Sequence, residues 1–321
     1  MVTLIKEEIG THNNETVWKY TWRTLSGFSL SAITYGAIVQ SIKVPDKNLG
    51  AAVGRCALAK NVGQDHLHGG IVGFDKANWK SVIDGTKVIF SHFSKDGDEG
   101  YPGDLVINIT YEVKDDDTFH VEFQSTTTKK TVVNMTNHSY FNLAGHEYGA
   151  QELYNHVFVI NADKITETTS ESIPTGRFLE VGGTPFDFRA AKKLGDVINR
   201  ADNLFDDNFC VSTYGNKGLN FVSRVVHPSS GRFLEVYSDQ PGVQFYTSNF
   251  LPSPSEAALV GKDGVGYRKH GAFCLETQNF PDAVHHTNFP RAVLYPGEVY
   301  KHSVVYKFGA EKSHEPVVFV S

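Results

Sequence analysis

The sequence predicts an all-β protein with the architecture of a large antiparallel β-sandwich. Segments of alternating or β-rich composition recur along the whole chain, at 29–44, 87–93, 105–113, 119–123, 131–141, 156–161, 233–247, 271–278 and 298–308. Convincing helical spacing occurs in one short stretch, AAKKLGDVINR at 190–200. No βαβ rhythm separates the strands, so we expect antiparallel sheets that stack or close to protect their edges.

The clearest element is a hairpin. The segment LVINITYEV (105–113) has apolar residues at every second position, and FHVEF (119–123) repeats this pattern after the turn signal KDDD. Two alternating runs joined by a short polar turn are typical of paired antiparallel strands. One face of each strand is therefore expected in the core.

Composition indicates a single globular domain over residues 1–321. Hydrophobic residues make up 40% and aromatic residues 12% of the chain, which is enough for a sizeable core. No low-complexity linker or internal repeat divides it. The formal net charge is -6 and the basic residues are scattered, so nucleic acid is not an expected partner.

Three cysteines, Cys56, Cys210 and Cys274, are far apart and show no CxxC spacing, which favours a reducing compartment over a disulfide framework. The first residues lack the apolar segment of a signal peptide, and no apolar run is long enough to span a bilayer. These features predict a cytoplasmic protein that does not associate with membranes.

The strand in GAFCLETQNFPD (271–282) carries a carboxylate where a buried strand would normally be apolar. Burying an ionised carboxyl group without partners costs several kcal/mol. Glu276 is therefore expected to face a polar cleft, to be paired within the structure, or to titrate.

A second unusual stretch is VVNMTNHSYFNLAG (132–145). Period-two spacing places four polar or aromatic side chains on one face, those of Asn134, Thr136, His138 and Tyr140. This face is a candidate functional surface. The alternative is a core histidine that bonds to a neighbouring hydroxyl group.

The stretch DHLHGGIVGFDKANW (65–79) supplies His66 and His68 before glycines that permit close approach of a ligand. His-x-His spacing is also found in metal sites, but those sites need a further ligand, and no glutamate lies between Gly69 and Asp75. No metal or cofactor is therefore predicted.

Two further segments add polar groups. NLFDDNF (203–209) contains Asp206 and Asp207, and PGVQFYTSNF (241–250) contains Gln244 and Tyr246. Carboxylates, amides and aromatic rings suit sugars, which present hydroxyl groups and apolar C–H faces. The alternatives are a solvated acidic turn and an aromatic core residue.

If Glu276 and His138 face one cleft, they could open the ring of an aldose. A carboxylate can take the proton of the anomeric hydroxyl group, while an imidazolium donates a proton to the ring oxygen. Reclosure after rotation inverts the anomeric centre. This chemistry requires neither a cofactor nor a metal.

Six segments together resemble the aldose 1-epimerase, or galactose mutarotase, family: LHGGIVGFDKANW, NMTNHSYFNLAG, PTGRFLEVGGTPFDFR, FDDNF, PGVQFYTSNFL and CLETQNFPDAV. The resemblance covers nearly the whole chain and implies a supersandwich fold and an isomerase acting on hexoses such as galactose and glucose. It implies Glu276 as catalytic base, His138 as acid and His68 as a second histidine of the site. Asp206 and Gln244 match positions that hold sugar hydroxyl groups. The expected molecule is a monomer or weak dimer.

Two departures from the family pattern stand out. A segment with an asparagine and an arginine that contact sugar is expected between Ala57 and Leu58, and it is absent. Either the loop is shortened in this protein, or the sequence omits a segment that the full chain contains. We favour the second explanation. Asp207 stands where the family commonly has histidine.

Three other functions are alternatives to the isomerase. A sugar-binding pseudoenzyme would keep the cleft with little turnover. A glycosidase would need two carboxylates that flank the scissile bond. A hexose 6-phosphate epimerase would need a cationic pocket, which the sequence does not indicate.

Overall fold

The computed structural model describes residues 1–44, 66–198, 205–215 and 218–311. These residues form two compact units. Unit 1 contains the described residues of 1–42, 56–135 and 292–303, and unit 2 contains those of 43–55, 136–291 and 304–321. The assignment of 1–321 to one domain stays a prediction. Ala57 and Leu58 lie outside the described residues.

The described residues are almost entirely in strands, turns and loops. Its strands are β1 (Thr3–His12), β2 (Glu15–Arg23), β3 (Ser29–Ile33), β4 (Val39–Lys43), β5 (Lys80–Asp84), β6 (Lys87–Ser94), β7 (Leu105–Val113), β8 (Thr118–Thr127), β9 (Thr131–Val132), β10 (Val157–Ile160), β11 (Ala162–Thr168), β12 (Pro174–Glu180), β13 (Lys192–Lys193), β14 (Asp206–Val211), β15 (Asn220–Val226), β16 (Arg232–Ser238), β17 (Gly242–Tyr246), β18 (Leu259–Val260), β19 (Gly266–Tyr267), β20 (Cys274–Gln278), β21 (Val293–Leu294) and β22 (Tyr300–Ala310). The α-helix α1 spans Gly149–Leu153, and short 3-10 turns cover Phe74–Lys76, Asp98–Gly100, Leu194–Asp196 and Lys262–Gly264. Each of these helices is too short to cross a membrane.

Besides the short pair of β9 and β21, the described part of unit 1 contains two antiparallel sheets, with strand orders β1-β2-β3-β4 and β5-β6-β7-β8. They pack face to face through large side chains of β2: the Tyr20 hydroxyl group lies 2.8 Å from Ser81 Oγ, and Trp22 Nε1 donates to the carbonyl of Thr86. The predicted hairpin is confirmed, because β7 and β8 pair with Val113 opposite Phe119, and alternate residues of β7 are buried.

Unit 2 is likewise a sandwich of two antiparallel sheets. One has the order β13-β10-β15-β16-β22, in which residues 304–310 of β22 pair with β16, and the other has the order β12-β11-β14-β17-β20. An aromatic layer fills the space between them, where the Phe158 ring of β10 lies 5.0 Å from the Phe245 ring of β17. The predicted all-β antiparallel sandwich is confirmed.

The predicted helix at 190–200 is wrong as far as the structure describes it, to residue 198. Lys192 and Lys193 form β13, which pairs with β10, and a single 3-10 turn follows. The reason is that the backbone N–H groups of Leu194 and Gly195 donate to the carbonyls of His156 and Tyr154, both at 2.9 Å, instead of forming helical bonds. Apolar spacing in this segment reflects burial against a neighbouring strand.

Candidate active site

The five-stranded sheet of unit 2 aligns the predicted site residues by its register. Gln244 of β17 stands opposite Glu276 of β20 on one side and opposite Asn208 of β14 on the other. The next row along the same face contains Asp206, Tyr246 and Cys274. Directly opposed residues in antiparallel strands project from the same face. Three separate sequence segments therefore contribute to one polar surface, which we call the site face and define by the residues of these two rows.

Glu276 lies on this face and is only 5% exposed. Its neighbours Leu275 and Thr277 project from the opposite face and are almost completely buried. The carboxylate Oε1 atom lies 3.6 Å from Nε2 of His138. The unusual glutamate in an apolar strand thus faces a histidine that a different sequence motif had indicated.

His138 reaches Glu276 from a segment without regular strand structure. The predicted strand over 131–141 is confirmed only at β9, and the chain next pairs at an isolated bridge between Phe141 and Phe273. Reciprocal backbone hydrogen bonds of 2.8 and 2.9 Å hold this bridge. His138 precedes Phe141 by three residues, and Glu276 follows Phe273 by three residues. The bridge therefore sets the separation of the two side chains.

Aromatic rings surround the imidazole of His138. Tyr140 stacks on it at 5.0 Å with an interplanar angle of 13°, and Tyr246 meets it edge-on at 6.2 Å. The predicted common face thus holds for His138 and Tyr140. Asn134, which was predicted on the same face, belongs to unit 1. Stacking on a tyrosine limits rotation of the imidazole and keeps Nε2 directed at the carboxylate.

Burial and charge act in opposite directions on His138, whose side chain is 31% exposed. Burial lowers its pKa below the ordinary value, while a backbone hydrogen bond and the negative charge of Asp206 raise it less strongly. A histidine that donates a proton needs neighbouring acids to keep it protonated, but at His138 burial outweighs the charge of Asp206. Burial also raises the pKa of Tyr246, and the charge of Asp206 adds to this effect.

Asp206 and Gln244, which are both predicted to bind sugar, contact each other. Gln244 Nε2 donates to Asp206 Oδ1 at 2.9 Å. Gln278, which projects from the same face two residues after Glu276, donates from Nε2 to Gln244 Oε1 and to Asn208 Oδ1, both at 3.2 Å. Asn208 and Gln278 were not predicted from the sequence. Period-two spacing from Asp206 and Glu276 was the signal that could have found them.

His68 lies in unit 1, within a turn closed by a 3.2 Å hydrogen bond from the Gly70 N–H to the Leu67 carbonyl. Its φ of 56° is left-handed, and the side chain is exposed. After this turn, the backbone N–H groups of Ile71 and Val72 donate hydrogen bonds to the Glu99 carboxylate. A role for His68 in the site stays a prediction.

His138, Cys274 and Glu276 are the one set of three potential metal ligands found together in the described part of the chain, with ligand atoms within 4.8 Å of one another. Metals bind the thiolate form of cysteine. Burial raises the pKa of the Cys274 thiol well above its ordinary value, and the charges of Glu276 and Asp206 add to the shift. A metal ion here would therefore have to compete with a proton for the sulfur of Cys274.

Comparison with known proteins identifies a family. The family model for aldose 1-epimerase matches residues 54–307. Galactose mutarotase from Bos taurus is 46% identical over 78% of this chain and 71% of its own length, and the Mus musculus protein of the same name is 38% identical over 91% and 94%. Aldose 1-epimerase from Escherichia coli is 34% identical over 82% and 80%.

Solved structures agree on the fold. An aldose epimerase homologue from C. elegans superposes with a TM-score of 0.80 at 24% identity, covering 97% of this chain and all of that one. Galactose 1-epimerase from Lactobacillus acidophilus gives a TM-score of 0.77 at 22% identity, with the same coverage. Because the family model spans most of the chain and full-length relatives exceed 30% identity, the chain belongs to the aldose 1-epimerase family.

Proposed function

We propose that the protein is an aldose 1-epimerase that interconverts the α and β anomers of hexoses such as D-galactose and D-glucose. The observation that carries the proposal is the pair of Glu276 and His138, in which the buried carboxylate lies 3.6 Å from the imidazole. The names of the relatives, galactose mutarotase and aldose 1-epimerase, support the same activity.

In the proposed reaction, Glu276 accepts the proton of the anomeric hydroxyl group. The electron pair of that O–H bond forms the C1–O1 double bond as the bond from C1 to the ring oxygen breaks. The ring oxygen keeps the electron pair of the broken bond and takes a proton from the His138 imidazolium. The product of this half-reaction is the open-chain aldehyde, with a neutral imidazole and a protonated carboxyl group.

The second half-reaction reverses these transfers after rotation about the C1–C2 bond. Neutral His138 removes the proton from the ring hydroxyl group as its oxygen attacks C1 from the other face, and Glu276 returns its proton to O1. Both residues regain their starting states, so no co-reactant is consumed. Because burial lowers the pKa of His138, the reaction draws on the protonated fraction, which the charge of Asp206 increases.

The remaining predicted residues are assigned to substrate binding. Asp206 can accept hydrogen bonds from sugar hydroxyl groups, and Gln244 can both donate and accept them. For His68, the assignment rests on the family resemblance alone. Tyr140 and Tyr246 lie beside His138 and offer aromatic surface to the apolar face of the sugar.

The protein is further proposed to act in the cytoplasm, as a monomer or weak dimer, without a cofactor. Two of its cysteines, Cys210 and Cys274, are free thiols, as expected in a reducing compartment. Light scattering on the purified full chain would measure its oligomeric state.

Polarimetry tests the activity. Freshly dissolved α-D-galactose and α-D-glucose should reach their equilibrium optical rotation faster when the full-length chain is added, in proportion to enzyme concentration. If the relaxation is the same with and without protein for both sugars, the proposal is wrong. Calorimetric sugar binding in that case would indicate the pseudoenzyme instead.

A further inference from the structure

Three polar side chains form a directed series of hydrogen bonds across the site face. Gln278 of β20 donates to Gln244 of β17, and Gln244 donates to Asp206 of β14, at 3.2 and 2.9 Å. The series begins at Gln278, to which neither the sequence analysis nor the proposed reaction assigns a role, and it ends at the carboxylate proposed to hold sugar hydroxyl groups.

The direction of this series follows from the chemistry of its last member. An ionised carboxylate can only accept hydrogen bonds, so Gln244 must present its NH2 group to Asp206. The carbonyl oxygen of the Gln244 amide then points towards Gln278, which must present an NH2 group in turn. Only a donor at position 278 is compatible with the Gln244 orientation that Asp206 requires.

Gln278 is itself held in place by Asn208. Its Nε2 atom also donates to Asn208 Oδ1 at 3.2 Å, and Asn208 is only 3% exposed. Gly242 leaves room for this contact, because a Cβ atom at that position would lie 2.4 Å from Asn208 Oδ1. The donor atom of Gln278 thus bridges two acceptor oxygens from neighbouring strands.

We propose that Gln278 is a positioning residue for sugar binding, acting through Gln244 on Asp206. The inference rests on the proposed function, in which Gln244 and Asp206 hold hydroxyl groups of the aldose. Without the donor at 278, the Gln244 amide keeps only one of these two hydrogen bonds, so its NH2 group is held less firmly against Asp206. The effect should fall on substrate binding, because these residues do not transfer the reacting protons.

Steady-state mutarotation of α-D-galactose by the full chain tests this inference. Gln278→Leu removes the donor at similar volume and should raise KM about 3- to 10-fold, with kcat within about twofold, as expected for one lost hydrogen bond to a binding group. Gln278→Glu keeps the shape but offers only acceptors, so it should raise KM at least as much. Thermal melting shows whether each variant is folded. If Gln278→Leu does not fold, the test is made with Gln278→Glu alone.

A double-mutant cycle with Gln244→Leu separates positioning from a direct or general effect. If Gln278 acts through Gln244, both substitutions at 278 should have little further effect on KM in the Gln244→Leu background. If the effects of the two substitutions on KM are fully additive, the proposal is wrong. Additivity would mean that Gln278 contacts the sugar directly, or that the negative charge of Gln278→Glu acts on KM, in either case without Gln244.

The outcomes also distinguish this inference from the function on which it rests. If Gln244→Leu raises KM and neither substitution at 278 does, the positioning role is wrong and the proposed function stands. If Gln244→Leu leaves KM unchanged while the wild-type protein is active, the sugar-binding role of Gln244 is wrong, and the positioning role of Gln278 is wrong with it.

Discussion

The two faces of the five-stranded sheet in unit 2 are built from the same strands and differ in chemistry. The site face carries Asp206, Gln244 and Glu276 in adjacent strands. The opposite face joins the aromatic layer, where the Phe205 and Phe245 rings lie 5.2 Å apart and are fully buried. Alternation along a strand is enough to place a candidate catalytic group and a core side chain at consecutive positions.

Two neighbouring carboxyl groups show what this difference means. Asp206 lies on the site face and accepts a hydrogen bond from Gln244, whereas Asp207 stands opposite Phe245 on the aromatic face. Burial raises the pKa of Asp207 to about 6, and the charge of Asp206 adds to the shift. Burial of a polar group therefore does not by itself mark function. The groups that it faces decide its role.

A partly buried histidine, His138, and a fully buried one, His156, differ in the same way. His138 faces the Glu276 carboxylate at 3.6 Å. His156 contacts Phe158 and Phe273 of the aromatic layer, and both of its nitrogens are bonded to backbone: Nε2 accepts from the Leu143 N–H at 2.9 Å and Nδ1 donates to the Glu152 carbonyl at 2.8 Å. These bonds fix one neutral tautomer of His156, which suits a structural role and not proton transfer.

The largest expected effect is on the site face. Glu276→Gln keeps the shape of the side chain and removes the proton acceptor, so kcat should fall about 10²- to 10⁴-fold, the usual value of general acid or base assistance. His138→Asn should cause a similar loss. Both variants should retain sugar affinity and a melting temperature near that of the wild type. Polarimetry, calorimetric titration and thermal melting measure the three quantities.

Glu235→Gln is the matched control for this experiment. Glu235 is a half-buried carboxylate of unit 2 that pairs with Arg224 outside the site face. Its substitution should change stability without a comparable loss of turnover. A Glu276→Gln variant with normal kcat, or one whose activity and melting temperature fall together, would assign Glu276 a structural role.

A smaller effect should appear beside the aromatic layer, as a loss of stability in acid. Burial, together with the nearby His227, lowers the pKa of His156 from 6.5 to about 3. In the unfolded chain this histidine takes up a proton near pH 6.5, whereas in the folded chain it stays neutral until the pH approaches 3. The stability that neutral His156 contributes is therefore complete above pH 6.5 and is lost as the pH falls towards 3. Between pH 6.5 and 4.5 the loss is about 2 to 3 kcal/mol for this one group.

Urea unfolding as a function of pH measures this loss. His156→Gln cannot titrate, so the free energy of unfolding should decline less steeply below pH 6.5 than in the wild type. Equal slopes for wild type and His156→Gln would contradict the prediction.

The smallest effect is expected at Asp207, and it has the opposite sign. Because its pKa is raised to about 6, the folded state disfavours the ionised form, and the free energy of unfolding should rise as pH falls from above 6 towards 4. Asp207→Asn removes the charge and keeps an oxygen to accept the hydrogen bond from the Asp206 N–H. It should stabilise the protein by about 1 to 2 kcal/mol at pH 7.5 and by much less at pH 4.

Urea unfolding at the two pH values checks this gain, with polarimetry on the same samples. An Asp206→Asn variant is the comparison, since it should weaken sugar binding and should not give the same pH-dependent gain in stability. Destabilisation by Asp207→Asn at pH 7.5 would show that the ionised carboxylate is needed in the aromatic layer.

Sequence reasoning succeeded where a property depends on local alternation. It predicted the β7–β8 hairpin, the buried strand around Glu276 and the shared face of His138 and Tyr140. It failed at 190–200, where helical spacing of apolar residues arose from a 3-10 turn that bonds to the neighbouring backbone. Whether a segment forms hydrogen bonds within itself or to a distant part of the backbone cannot be predicted from the spacing of its apolar residues alone.

The sequence by itself determined the fold class, the family and the chemical types of the site residues, because period-two alternation is a property of the extended backbone and the motifs are contiguous. Only the tertiary structure decided which strands are neighbours and in what register. It placed Gln244 opposite Glu276, set His138 at 3.6 Å from that carboxylate, and connected Gln278 to Asp206 through Gln244. Register depends on hydrogen bonds and packing between residues far apart in the chain, and a shift by one residue would exchange the site face for the aromatic face.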